Sequence, residues 1–361
     1  MKRSLRRVST RRRLPLLTAL LALALLLAGC APATRAPTAQ PDATPALALP
    51  TTAAGLVRVP VAIGAGSPFL YLAFQAARSL KYFEAEGLDV NLKYAPGEAP
   101  AEDALSAGGV LFAAQSLQQA IRAQAQGKTV KMIVVLARSP DVVALVRSDL
   151  SDGVRSPADF KGRHIGVGAL GDNTHLLAAL LAAGGGLKPD DYTPVAVGTG
   201  TMAAAFARRA IDVGFIAGPA APAVLKTGSA VLLADLRTPA AADQYLGGEF
   251  PSAGLFASAA TLQSRPELAQ KMAAALLKAQ GYLRAHTAQQ IADALPDDLI
   301  GSDKQAWIDA YRASTTMYSP DGKSTEPGVA NVIAAYRLFG AIPPNAALDP
   351  SALFDNTWVD R

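Results

Sequence analysis

The sequence predicts an α/β protein built from two doubly wound lobes, and three observations carry this prediction. Alternating apolar residues mark short strands, stretches with apolar residues at helical spacing follow most of them, and a later strand–loop–helix unit repeats the layout of the first. Strands and helices that alternate at this spacing are typical of a mostly parallel sheet covered by helices on both faces.

The first unit spans residues 57–94 and organises the rest of the chain. Apolar residues alternate in 57–63 and again in 88–94, which predicts two strands with one buried face each. Between them, residues 70–83 place apolar side chains near helical spacing, which predicts one helix with an apolar stripe. Gly87 is expected to close this helix.

The loop between the first strand and the helix is the first candidate binding element. Ser67 suits the N-cap of the helix, and Pro68 suits its first turn. A ligand outside the carboxyl end of a parallel strand, facing a helix N-terminus, would touch this loop. An ordinary strand-to-helix turn would use the same residues, so both interpretations stay open here.

The remaining chain continues the alternation and then becomes helical. Strands are predicted at 110–114, 131–137, 142–147, 165–167, 193–197, 212–216, 230–233 and 252–258. Helices are predicted at 101–107, 117–126, 175–183, 202–209, 220–226, 266–286, 287–295, 304–314 and 328–338. The layout of 198–224 echoes that of 97–121 and gives Phe112 and Phe215 comparable places, so two similar half-domains are expected to face a shared cleft.

The N-terminal 30 residues have the pattern of an export signal. Seven cations and no acid occupy the first 13 residues, and the apolar run 14–27 is short for a membrane span. The run ends in Leu27-Ala28-Gly29-Cys30, which resembles a bacterial lipobox, and Cys30 is the only cysteine in the chain. We therefore expect lipid attachment at Cys30; whether export uses the general or the twin-arginine route stays open.

Most of the basic character of the chain belongs to this leader. The full sequence has 34 Lys and Arg against 29 Asp and Glu; without the leader's seven cations, 27 basic residues remain and the charge is about −2. No basic patch for nucleic acid is therefore expected. Residues 31–55, rich in Ala, Pro and Thr, predict a flexible tether before the folded part.

Motifs for catalysis or metal binding are missing from the sequence. Gly166, Gly168 and Gly171 match GxGxxG, but the strand before them is very short, so the glycines are better explained by backbone N–H groups approaching a ligand. His175, in the first turn of the next helix, is a candidate contact. No HExxH, HxH or GxSxG occurs, so we expect no metal, no cofactor and no enzymatic activity.

Several stretches together resemble the extracytoplasmic substrate-binding proteins of ABC importers, and among them the nitrate/sulfonate/taurine and thiamine-pyrimidine-precursor group. The residues that carry the resemblance are Ser67–Tyr71, Tyr82–Val90, Ala158–Val167 and Arg209–Phe215. The resemblance covers roughly residues 56–360. The eukaryotic pyrimidine-precursor synthases of similar fold use a cysteine-rich iron motif that this chain lacks.

The resemblance implies a type II periplasmic-binding-protein fold, in which two α/β lobes joined by two crossing segments close on a ligand. Lobe one would comprise residues 56–142 and 248–361, and lobe two residues 143–247. Carried over from the family, the expected ligand contacts are Ser67, Phe69, Tyr71, Gln115, Ser116, Asp172, Asn173, Thr174, Thr199 and Thr201. Arg138, near the first crossing, could pair with an anionic ligand.

The function implied is that of a receptor, anchored outside the cytoplasm, which hands a small molecule to an ABC permease and its ATPase. The expected ligand is a small organic anion or a planar heterocycle: a sulfonate, taurine, nitrate, a pyrimidine precursor or an aromatic acid. Phe69 and Tyr71 would stack on a planar ligand. A monomer is expected. An exported enzyme of the same fold, or a ligand sensor for a membrane kinase, are the alternatives.

Overall fold

Two five-stranded sheets form the framework of the chain in the computed structural model, which describes residues 49–360. The predicted signal sequence, Cys30 and most of the predicted tether lie outside the described residues. The end of that tether, residues 49–55, is folded: Thr51 pairs with Val57 of the first strand, and Leu49 packs on the core. No helix among residues 49–360 is long and apolar enough to span a membrane.

The strands and helices follow the predicted alternation closely. The strands are β1 Val57–Ile63, β2 Leu88–Tyr94, β3 Phe112–Ser116, β4 Val130–Ala137, β5 Val142–Arg147, β6 His164–Val167, β7 Thr193–Ala196, β8 Val213–Ala217, β9 Ala230–Asp235 and β10 Ala253–Ser258. The helices are α1 Leu72–Ser79, α2 Tyr82–Ala85, α3 Glu98–Ser106, α4 Leu117–Ala125, α5 Asn173–Gly184, α6 Met202–Ala207, α7 Ala221–Lys226, α8 Pro239–Tyr245, α9 Ala259–Ser264, α10 Pro266–Ala285, α11 Ala288–Ala294, α12 Asp297–Ile300, α13 Lys304–Ser314 and α14 Glu326–Leu338.

The two sheets have the same topology. The first has the order β2-β1-β3-β10-β4, and the second has the order β7-β6-β8-β5-β9. We call each sheet with its packed helices a lobe, lobe one holding β1 and lobe two holding β6. Phe112 of β3 and Phe215 of β8 are both fully buried in the third strand of their sheets, which confirms the comparable places predicted for them.

Each sheet is mixed rather than mostly parallel. Strands β1, β2 and β3 are parallel, but β10 runs antiparallel to both β3 and β4. In lobe two, β5 likewise runs antiparallel to β8 and β9. The antiparallel strands are those that the chain enters as it passes between the sheets. The sequence could not show this, because apolar alternation has no direction along the strand.

The helix predicted after the first loop is broken into pieces. Pro68–Tyr71 form a 3₁₀ turn, α1 ends at Ser79, and Lys81 takes a left-handed φ of 57° before α2 begins. The break redirects the chain, so that Phe83 packs near Phe74 with 6.1 Å between ring centroids. The N-cap prediction is confirmed, because the Ser67 hydroxyl accepts the Phe69 N–H at 3.3 Å.

Lobe one is a three-layer α/β/α structure. Val59, Val61 and Ile63 of β1 point to one face of the sheet, into a buried cluster that includes residues of α1, α10 and α13. Ala62 of β1 points to the other face, where α3, α4 and α14 cover the sheet. The period-two burial predicted for β1 is therefore present. Both layers leave the carboxyl end of β1 free to carry the loop at 64–68.

Candidate functional site

A cavity of about 670 Å³ lies between the two lobes. Lobe one contributes the loop at 65–68, the start of α4 and the segment 250–252, while lobe two contributes the start of α5 and the segment 217–220. Pro140, Asp141 and Val142, where the chain first passes between the sheets, also line it. Movement of one lobe relative to the other would therefore open or close this space.

A second cavity, of about 610 Å³, lies on the other side of the same loop. Its walls include Tyr71, Gln75, Arg78 and Tyr94 and belong to lobe one throughout. Because lobe two contributes nothing to it, closure of the lobes would not enclose a ligand there. We therefore take the cavity between the lobes as the candidate site.

Six of the predicted contact residues line this cavity and come together from distant parts of the chain. They are Ser67, Ser116, Asp172, Asn173, Thr174 and Thr199. Loops at the carboxyl ends of parallel strands, which meet at one edge of a sheet, hold Ser67, Thr199 and the start of α5. The strand–loop–helix pattern was therefore the informative signal for these residues.

The start of α5 is organised by Asp172, which is the N-cap of this helix. One carboxylate oxygen of Asp172 accepts the His175 N–H at 2.9 Å, and the other accepts the Ala169 N–H at 2.9 Å. The Gly168 N–H donates to the Thr174 hydroxyl at 2.8 Å. Asp172 thus satisfies two backbone donors at once, one with each carboxylate oxygen.

The glycines of the GxGxxG match do not present free N–H groups to a ligand, so that interpretation was wrong. The Gly168 donor is taken by Thr174, and the Gly171 N–H donates to Nδ1 of His175 at 3.0 Å. A Cβ at Gly166 would lie 2.6 Å from Ile211, so this glycine serves packing. His175 lies beside Phe339 and does not line the cavity, and burial lowers its pKa.

Phe69 and Tyr71, predicted to stack on a ligand, lie behind the cavity wall. Phe69 is 1% exposed and packs edge-on against Trp307 and Tyr311, at 5.4 and 5.9 Å between ring centroids. The Tyr71 ring is also buried, and its hydroxyl donates to Glu98 at 2.6 Å. The 3₁₀ turn directs both side chains into lobe one, so neither contributes to the cavity lining.

Three further predicted residues also lie away from the cavity. Gln115 is fully buried and donates to Glu102 at 2.5 Å. Arg138 is half-buried at the crossing and is not part of the lining, and Thr201 is exposed, with its hydroxyl donating to the Val197 carbonyl. The arrangement thus offers no Arg138 side chain to an anion in the cavity.

Glu98 is a cavity residue that sequence reasoning missed. It begins α3, and one of its carboxylate oxygens accepts from Tyr71 while the other accepts the Ser116 N–H at 2.8 Å. A Cβ on Gly64 would lie only 2.8 Å from this carboxyl group, so a larger residue at position 64 would displace the Glu98 side chain. Burial raises the pKa of Glu98, and the hydrogen bonds from Tyr71 and Ser116 oppose that shift.

Asp141 is the second carboxyl group that the sequence did not single out. It is 2% exposed, accepts from the Ser67 hydroxyl with one oxygen, and accepts from the Ser314 hydroxyl at 3.3 Å with the other. Burial raises the pKa of Asp141, and the hydrogen bond from Ser67 and the nearby charge of Arg237 counteract this. Asp141 thus connects the binding loop to the crossing segment.

The remaining wall is largely apolar and aromatic. Phe250 and Tyr336 line it and are 2% and 3% exposed, and Arg122 is the one cationic side chain in the described lining. The lining also contains three acidic side chains, Glu98, Asp141 and Asp172. The sequence did not single out Phe250 and Tyr336, because an aromatic residue on a helix or before a strand is as well suited to a hydrophobic core as to a binding site.

The composition of the cavity suits the binding of a small molecule. Carboxylates, hydroxyls and amides converge on a space with apolar walls, which is the usual composition of a small-molecule site. Among residues 49–360 no group of three His, Cys, Asp or Glu side chains is placed to hold a metal ion. The predicted absence of a cofactor and of catalysis stays a prediction.

Comparisons with known proteins agree with this description. A family model described as NMT1/THI5 like matches residues 71–290. The riboflavin-binding protein RibY of Chloroflexus aurantiacus is 27% identical over 271 residues, which are 74% of this chain and 73% of RibY.

Solved structures show the same fold. A protein of Bordetella bronchiseptica RB50 is 28% identical and superposes with a TM-score of 0.70, over 84% of this chain and 96% of its own. The alkanesulfonate-binding protein SsuA of Xanthomonas axonopodis pv. citri, bound to MOPS, is 20% identical with a TM-score of 0.59, over 82% of this chain and 98% of its own. The predicted periplasmic-binding-protein fold is confirmed.

Proposed function

The chain belongs to the NMT1/THI5-like family, and from that premise we propose that it is the solute receptor of an ABC importer. The observation that carries the proposal is the 670 Å³ cavity lined by both lobes and by the segment between them. A receptor of this kind needs only to enclose its ligand and to present the closed form to a permease.

The ligand we propose is a planar, uncharged heterocycle, with riboflavin as the first candidate. RibY supports this choice as a binding protein of similar length and sequence. The cavity supports it through its size and its buried aromatic wall at Phe250 and Tyr336. A sulfonate or nitrate is less well served, because Arg138 does not line the cavity and the N–H groups of Gly168, Ala169 and Gly171 already donate to protein side chains.

We further propose that the mature protein begins at a lipidated Cys30 and is held outside the cytoplasm by a shorter tether, residues 31–48, since residues 49–55 are folded. It would act as a monomer beside the permease and its ATPase. A Cys30→Ser variant is expected to lose incorporation of a labelled fatty acid. Equal labelling of the variant and the wild-type chain would exclude this anchor.

Native mass spectrometry of protein produced without residues 1–30, before and after denaturing extraction, tests the receptor function. We expect a small molecule to copurify or riboflavin to bind with a micromolar or lower Kd, and the Asn173→Ala and Tyr336→Ala variants to bind it more weakly. Because Asn173 and Tyr336 lie in different lobes, loss in both variants would place the ligand between the lobes. An empty protein that binds no flavin, pyrimidine, aromatic acid or sulfonate would contradict the proposal.

A further inference from the structure

Glu98 is the least neutralised acceptor in the cavity. Asp172 caps a helix and Asp141 lies near the Arg237 charge, whereas no cation forms an ion pair with Glu98 anywhere in residues 49–360. Its two contacts are a neutral phenol and a backbone N–H. The Glu98 carboxyl group therefore lines the cavity without a cation to compensate it.

The two contacts also fix the orientation of this carboxylate. Tyr71 is buried and donates to one oxygen at 2.6 Å, while the Ser116 N–H, at the end of β3, donates to the other at 2.8 Å. Each carboxylate oxygen can accept about two hydrogen bonds, so each has acceptor capacity left. A fixed acceptor with an unused lone pair loses little entropy when a ligand donor reaches it.

We propose that Glu98 determines ligand specificity by accepting a hydrogen bond from an N–H group of an uncharged heterocycle, and that Tyr71 positions it. The same negative charge disfavours anions of similar size, since like charges in a partly desolvated site repel. This inference rests on the proposed receptor function and identifies the chemistry its ligand must offer. Riboflavin meets the requirement through its imide N3–H.

The test compares riboflavin with 3-methylriboflavin, which carries a methyl group in place of that hydrogen, by fluorescence titration of the purified protein. A hydrogen bond to a charged acceptor is stronger than one to a neutral acceptor by about a factor of ten in affinity. We therefore expect Glu98→Gln to weaken riboflavin binding about tenfold. The same substitution should not weaken the binding of 3-methylriboflavin, because that ligand has no donor to lose.

Glu102→Gln is the matched control. Glu102 lies one turn further along α3, is 5% exposed, and accepts from Ser106 and Gln115, but it does not line the cavity. This variant should keep the wild-type preference for riboflavin. Tyr71→Phe keeps the buried ring but removes the donor to Glu98, so it should reduce that preference by a smaller factor.

Each remaining outcome has a definite meaning. If Glu98→Gln weakens both flavins equally, Glu98 is structural and the inference is wrong, while the receptor function stands. If wild-type protein binds both flavins equally well, the inference is wrong in the same way. If wild-type protein binds neither flavin but a sulfonate or nitrate instead, both the heterocycle proposal and the role of Glu98 are overturned.

Discussion

The contact between Ser67 and Asp141 gives a quantitative test of how the binding loop is held. Ser67 caps the 3₁₀ turn through the Phe69 N–H and donates its own hydroxyl hydrogen to the Asp141 carboxylate. Loss of the cap in Ser67→Ala costs about 1 kcal/mol. Loss of a hydrogen bond to a buried charged acceptor costs about 1.5–3 kcal/mol more, so the free energy of unfolding should fall by about 2.5–4 kcal/mol.

A double-mutant cycle separates these two contributions. In an Asp141→Ala background the charged hydrogen bond is already absent, so Ser67→Ala should cost only the cap, about 1 kcal/mol. Ser258→Ala is the control, because Ser258 caps α9 through the Thr261 N–H at 3.1 Å and has no contact with Asp141. Its cost should be the same in both backgrounds. Urea denaturation measures all of these values, and an unchanged cost of Ser67→Ala in the two backgrounds would refute the reasoning.

Three further predictions concern positions outside the cavity lining. Phe69→Leu should lower the free energy of unfolding by about 1–2 kcal/mol, measured by thermal denaturation, without changing the ligand affinity measured by titration. A loss of affinity would instead support the predicted stacking of Phe69 on the ligand. Gly281→Ala, in open space within α10, should raise the free energy of unfolding by about 0.5–1 kcal/mol. Gly254→Ala should lower the free energy of unfolding, because its Cβ would lie 2.5 Å from Met132. The urea midpoints of the two variants distinguish these outcomes. Burial raises the pKa of Glu102 in the folded protein above that of an ordinary carboxyl group. The protonated side chain therefore stabilises the fold below the ordinary carboxyl pKa, and this stabilisation is lost as the pH rises through the raised pKa. The Glu102→Gln variant should therefore gain stability relative to wild type with rising pH, and a constant difference would contradict the burial argument.

Local signals in the sequence were sufficient for most elements of the fold. Strand β5 and helix α13 have the predicted limits, since apolar periodicity and the flanking polar or glycine residues mark both ends. The position of β10 between β3 and β4 was not predictable in this way. It depends on contacts between segments more than a hundred residues apart, and no local pattern records the order of strands in a sheet.

The candidate site was predictable where its residues follow strands and unpredictable where side-chain direction decides. Asn173 begins α5 after β6, and Thr199 follows β7; these two strands are parallel, so their carboxyl ends lie at the same edge of the sheet. Phe69 is turned inward by a short 3₁₀ helix and meets Trp307 from α13, which sequence spacing cannot reveal. Glu98 was overlooked because the helix was predicted to begin at residue 101, which left this acid in a loop, where a single acidic side chain is usually exposed to solvent.

The insertion of β10 between β3 and β4 also fixes the order in which lobe one can be completed. Until Ala253–Ser258 are available, the first sheet consists of a three-stranded part and a separate β4 with nothing between them. Lobe two, whose strands all lie between residues 142 and 235, has no such dependence. During synthesis or passage through a membrane from the N-terminus, lobe two can therefore fold first, and the binding cleft forms only after the last third of the chain has emerged.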